Sequence, residues 1–145
     1  MIYRLVYISK STVSPVSQAV SEIARKSLSR NMQLGVTGFL YFDDAVFLQE
    51  LEGVRSDVEW LYNKIATDNR HSDVRTLLKQ DAETRVFGEW SMAFFDGNAT
   101  DNAFRNSYTL EDIDNLTESD GPELLRILRE ISLNYDPSKL VACSA

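Results

Sequence analysis

Two apolar runs, Val36–Phe42 and Ala45–Leu51, are separated only by Asp43 and Asp44. So short a connection between strand-forming segments points to a tight antiparallel hairpin, and every other element has to be arranged around it. Residues 2–8 (IYRLVYI) are β-branched and aromatic and read as another strand. Tyr3, Leu5 and Tyr7 share one face, and Ile2, Val6 and Ile8 the other. With both faces largely apolar, this strand is expected to be central and covered on both sides. The run SKSTVSP is expected to end it. From Val16 the period changes: Val16, Ala19, Val20, Ile23, Ala24 and Leu28 fall at helical spacing. Ser14 and Pro15 form a reasonable N-cap and first-turn pair. This helix is expected to stop near Asn31, with Gly35 in the turn that follows.

Gly53 breaks the chain after the hairpin. Ser56 and Glu59 have capping-box spacing, and Val58, Leu61, Tyr62 and Ile65 mark a second amphipathic helix ending near Asp68. Val74–Lys79 and Trp90–Phe95 are the last two strand candidates. The order β-α-β-β-α-β-β predicts an α+β, ferredoxin-like sheet with an added strand. The right-handed crossover rule puts both helices on one face. The stretch from Asp96 to Thr109 is polar and reads as a linker. Leu110, Ile113 and Leu116 allow a short helix, and Leu124, Leu125, Ile127, Leu128 and Ile131, opened by Pro122, define a stronger one. Its apolar face needs a partner, either the uncovered side of the sheet or another subunit. The expected organisation is a principal unit over residues 1–96 and a helical extension over 97–145 within the same compact body.

A length of 145 residues suits one domain. Acidic residues outnumber basic ones by 22 to 15, the formal charge is −7, and no Lys/Arg run is present. Direct nucleic-acid binding is therefore not expected, because an acidic domain repels phosphate backbones. One cysteine, Cys143, and one histidine, His71, leave no intramolecular disulfide, no cysteine-based zinc site and no two-histidine site within one chain. Cys143 reads as an exposed tail thiol without a role. The start MIYRLVYIS lacks signal-peptide character. No apolar run approaches the roughly 18 residues that span a bilayer. No membrane partner and a cytoplasmic location are expected.

Three side chains look out of place. Tyr7 is a phenol on a strand expected to be buried, Gln49 interrupts AVFLQELEG, and Asn31 sits where the first helix should end. Buried polar groups need partners, since an unpaired one costs about 1–3 kcal/mol. Each also has an ordinary structural explanation: a core tyrosine bonded to a carbonyl, an edge-strand glutamine, or a helix C-cap.

The stretches RLVYISKST, RNMQLGVTGFLYFDDAVFLQELEG, YNKIATDNRHSDV and RVFGEWSMAF occur in this order. Together they closely resemble the BLUF family, the blue-light sensors using flavin, over about residues 2–95. The resemblance implies a ferredoxin-like fold with non-covalent flavin held between the two helices. Tyr7 then matches the family's photoactive tyrosine, a potential electron and proton donor. Gln49 matches its photoactive glutamine, whose amide donates at one end and accepts at the other. Reversing or tautomerising that amide would strengthen a hydrogen bond to the flavin carbonyl and shift its absorption to the red. Asn31 matches the asparagine that bonds the isoalloxazine edge, with Arg30 preceding it. Ile23 and Ser27 lie four and eight residues before Asn31, on one helical face with it.

Lys64, Asp68, Arg70 and His71, placed on the second helix and its exit, match positions lining the flavin. Lys64 and Asp68 also have the spacing of a solvent ion pair. Trp90 and Met92 lie two apart on a strand, hence on one face, and match a segment whose Trp and Met exchange proximity to the flavin. They are candidates for signal relay, with core packing as the alternative. FAD is the first choice of cofactor, with FMN and riboflavin open.

The function implied is a blue-light photoreceptor, not an enzyme, that signals to a separate partner and forms a homo-oligomer. The tail around Leu124–Ile131 would form part of the output surface. Two other classes stay open. A flavin redox enzyme would need substrate access and an external donor, and no nicotinamide fingerprint is present. Acylphosphatase-type chemistry has only Arg30–Asn31 to work with and no Gly-rich anion loop. A passive flavin-binding assembly module is the third class.

Overall fold

The computed structural model describes residues 1–12, 22, 30–88, 90–98, 101–134 and 142–144, with the backbone alone for 90, 91 and 142–144. The strands are β1 (Ile2–Ser11), β2 (Thr37–Phe42), β3 (Val46–Gly53), β4 (His71–Ala82), β5 (Trp90–Asp96) and β6 (Ala142–Ser144). They form one sheet in the order β4-β1-β3-β2-β5-β6. Strand β3 runs antiparallel between β1 and β2, and β4 lies antiparallel on the far side of β1. That is the ferredoxin-like arrangement, and β5, parallel to β2, is the added strand.

The hairpin forms where the two apolar runs place it, with Phe42 opposite Phe47. The buried Asp43 carboxylate makes the turn by accepting the N–H groups of Ala45 and Val46 at 2.8 and 2.9 Å. Strand β1 is longer than expected. It continues through the polar SKS segment, because Lys10 and Ser11 find ladder partners in Ser72 and His71.

Residues 30–34 are helical (α1). Gly35, at φ +66°, ends this helix. Its N–H reaches the Met32 carbonyl, and the Val36 N–H reaches that of Asn31. This is the double closure that a left-handed glycine permits. Asn31 therefore lies within the helix and not at the cap. The proposed cap at Ser14–Pro15 and the positions Val16–Leu28, including Ile23 and Ser27, lie outside the described residues. The second helix, α2 (Arg55–Ala66), starts before Ser56 and has no side-chain cap at Val54. The expected capping box does not form, and Glu59 pairs instead with Arg55.

Each face of the sheet carries its own core. On one, Tyr3, Leu5, Tyr7, Leu40 and Phe47 pack with Val58 and Leu61 of α2 and Leu34 of α1, so both helices share this face. On the other, Val6, Ile8, Phe39, Tyr41 and Leu48 meet the tail. The tail forms α3 (Ala103–Ser107), α4 (Leu110–Asp114) and α5 (Gly121–Leu133). The apolar stripe of α5 (Leu124, Ile127, Leu128, Ile131) is buried against the sheet. The stretch 96–109 is more than a linker: Asn102 caps α3, and Phe104 stacks against Tyr108 and tilts onto Tyr41. Cys143 does not sit in a free tail, because its backbone pairs with Met92.

Candidate functional site

A cavity of about 350 Å³ opens between the two helices and the sheet. Its chemistry begins with strand register. Tyr7 and Gln49 are directly opposed on β1 and β3, so their side chains leave the sheet together on one face. The Tyr7 hydroxyl donates to Gln49 Oε1 at 2.6 Å. The other end of the amide, Gln49 Nε2, donates to Met92 Sδ at 3.3 Å. A thioether is a weak acceptor, so the N–H end of this amide is poorly satisfied by the protein itself.

Met92 reaches Gln49 from β5, two strands away. The intervening β2 carries Gly38 at this point, and a Cβ there would stand 3.1 Å from Met92 Cε. The missing side chain makes room for the contact. Burial raises the Tyr7 pKa strongly, and Tyr62 and Asp68 raise it further by repelling a phenolate. Tyr7 therefore stays protonated throughout the range in which a protein of this kind works. Tyr62 walls it at a ring separation of 5.7 Å and is held by a hydrogen bond from Thr76.

The cavity brings Tyr7, Arg30, Asn31, Gln49, Lys64, Asp68 and Arg70 together with His71 and Met92. His71 is the first residue of β4, not part of a helix exit. Its Nε2 lies 2.7 Å from the Ile65 carbonyl, which can only accept, so this nitrogen carries the hydrogen. Nδ1 is engaged by Ser9 Oγ at 2.7 Å. Both ring nitrogens are thus occupied by the protein, and His71 meets the cavity through its ring, edge-on to Tyr7 and Phe47. The Lys64–Asp68 pair anticipated from spacing does not form. Lys64 lies over the Trp60 ring at 5.2 Å, and Asp68 accepts the Arg70 N–H. The Trp90 side chain, like Ile23 and Ser27, lies outside the described residues.

The apolar walls come from Leu40, Phe47, Leu61, Ile65 and Phe94. In the sequence these are apolar strand and helix positions with no role in a site. Their only signal is alternation: Phe47 and Leu40 share strand faces with Gln49 and Gly38. A slot with apolar flat walls, amides at Gln49 and Asn31 and cations at Arg30, Lys64 and Arg70 suits a planar heteroaromatic ring bearing a polar tail. The under-satisfied amide of Gln49 is the observation that such a ring fits, because its carbonyl would complete that bond. Among the described residues no cluster of metal-ligating side chains occurs, and no helix is long and apolar enough to cross a membrane.

A family model described as sensors of blue-light using FAD matches residues 2–93. The photoactivated adenylate cyclase subunit beta of Euglena gracilis is 38% identical over 92 residues, which are 61% of this chain and 11% of that protein. The chain thus corresponds to about a tenth of that relative's length. Among solved structures, the dark state of BlrB, a BLUF protein, superposes with a TM-score of 0.76 at 28% identity, covering 92% of this chain and 97% of that one. The ground state of BlsA gives 0.74 at 27% identity, covering 89% and 88%.

Proposed function

This chain belongs to the BLUF family, and from that membership we propose that blue light acts on it through Tyr7 and Gln49, with Met92 the first residue to register the change. The observation that carries this reading is the asymmetric amide: Oε1 saturated by the Tyr7 phenol, Nε2 left on a thioether. A bound flavin supplies blue-light absorption and reversible electron acceptance. The rest belongs to the protein. Tyr7 holds its proton in a dry site and is placed to give up an electron and a proton and to recover both. Gln49 is placed to exchange which of its ends faces Tyr7. Once its donor turns from Met92 towards the ring, Met92 loses its hydrogen bond and β5 is free to adjust.

Asn31 holds the ring edge, while Arg30, Lys64 and Arg70 face the polar tail. The family description supports FAD as that ligand, and chromatography of the flavin released by heat would identify it. The chain acts as a sensor, not a catalyst, and hands its signal to a partner through the tail helices α3–α5, which cover the reverse face of the same strands. The deciding experiment is an absorption spectrum in darkness and after blue light. A small red shift that recovers in the dark is the expected result. A flavin spectrum that does not shift would refute the reading.

A further inference from the structure

The reverse side of β3 carries a second polar site that the light chemistry does not use. Residues 50 and 52 point away from the cavity, on the face of β3 opposite Gln49 and Leu51. Glu50 and Glu52 are both fully buried, and both reach the same donor, Arg4 Nε, at 3.2 and 3.4 Å. Arg4 Nη2 donates to the Thr84 carbonyl at 2.9 Å. Glu52 is well satisfied as an anion. It accepts the backbone N–H groups of Val86 and Phe87 and a longer bond from Thr37. Glu50 is not. Its Oε1 is buried and has no donor among the described residues.

Among the described residues, Arg4 is the one cation paired with Glu50. Across the ladders it faces Val6 on β1 and Phe39 on β2, while Thr37 lies opposite Glu52 and Gln80 opposite Arg4. Arg85, on the connection to β5, donates to Thr37 Oγ1 and to the Glu52 main-chain carbonyl instead. The buried residues of α5 are Gly121, Leu124, Ile127, Leu128 and Ile131, none of them titratable. Two buried carboxylates around one guanidinium cannot both ionise cheaply, and the less satisfied one keeps its proton.

We propose that Glu50 and Glu52 form a buried one-proton site behind the photoactive strand, with the proton on Glu50, and that this proton couples pH to the light response. Burial, followed by the hydrogen bond and repulsion from Glu52, raises the Glu50 pKa well above the ordinary value, consistent with the geometry. The coupling rests on the function proposed above and follows from two connections. Glu50 is the residue next to Gln49 on one strand. Glu52 holds the Val86–Phe87 connection that leads into β5 and Met92. Ionising Glu50 sets a second anion against Glu52, so the grip on that connection changes with the proton.

The sign of the stability effect is fixed. Folded Glu50 keeps a proton that the unfolded chain loses above the ordinary glutamate pKa of 4.5. Its contribution is therefore intact below that pH and falls as pH rises towards the folded-state pKa. In darkness, the melting temperature of Glu50→Gln should gain on that of the wild type as pH rises from 4.5, because Gln is neutral at every pH. Isotope-edited infrared spectra of the unmodified protein at neutral pH should show a protonated glutamate C=O band, which covers the case of a variant that fails to fold. Parallel melting curves, or no such band, would overturn the proton site. Dark recovery after blue light should vary with pH in the wild type and stay at the wild-type acidic value in Glu50→Gln. Identical pH profiles would overturn the coupling. Melting and infrared measurements need no light response, so a missing red shift would count against the proposed function and leave the proton site standing.

Discussion

The donor role proposed for Tyr7 requires a phenol that holds its proton until the moment of use, and burial secures this. Tyr7→Phe keeps the ring packing and removes the proton. Light-minus-dark absorption should show no red-shifted state, and stability should fall by about 1 kcal/mol for the lost bond to Gln49. Gln49→Glu should also lose the shift, because an ionised carboxylate cannot donate. Met92 gives a subtler test. Gly38→Ala would collide first with the Glu50 main-chain carbonyl, so the contact is better probed at Met92 itself. Met92→Leu removes the sulfur acceptor of Gln49 Nε2 and should change the dark-recovery rate while flavin absorption in darkness persists. An unchanged rate would mean that the Met92 contact is not used.

At the scale of elements, the edge strand β4 links the cavity to the tail. It begins at His71, against the cavity, and four residues later Arg75 donates to the carbonyls of Ile113 and Leu116 at 2.8 and 2.9 Å. A cation at the end of α4 satisfies carbonyls that the short helix leaves open. Arg75→Met should cost about 1–3 kcal/mol in urea unfolding, with hydrogen exchange rising first in α4. Further along β4, a Cβ on Gly121 would collide with the Leu77 carbonyl. The start of α5 thus rests directly on strand backbone. Exposed contacts such as Arg126–Glu123 contribute little by comparison.

Over the whole molecule the sheet works as a partition, with the cavity and the light chemistry proposed for it on one face and the tail on the other. Leu128, fully buried between α5 and the sheet, should cost about 2–5 kcal/mol as Leu128→Ala. Ending the chain at Phe95 would uncover Val6, Ile8, Phe39 and Leu48, so such a fragment should bind apolar dyes and aggregate. Much of this plan was legible from hydrophobic period and turn chemistry, which are local: the hairpin, the order of the first five strands, the shared face of α1 and α2, and the apolar stripe of α5. Tyr7 and Gln49 stood out because a polar group in an apolar run is visible without coordinates. Other features depended on neighbours that no local window contains. The strand ending of SKS gave way to ladder partners in β4, and Lys64 chose Trp60 over Asp68. Glu50 and Glu52 alternate with Gln49 and Leu51 along β3, and nothing in that spacing tells that the connection through Val86 and Phe87 closes over them. Sequence by itself determined which residues alternate and where the chain turns, because those depend on backbone geometry and nearest neighbours. Only the tertiary structure decided which polar groups lie dry beside one another, because burial and charge pairing are set by segments distant in the chain.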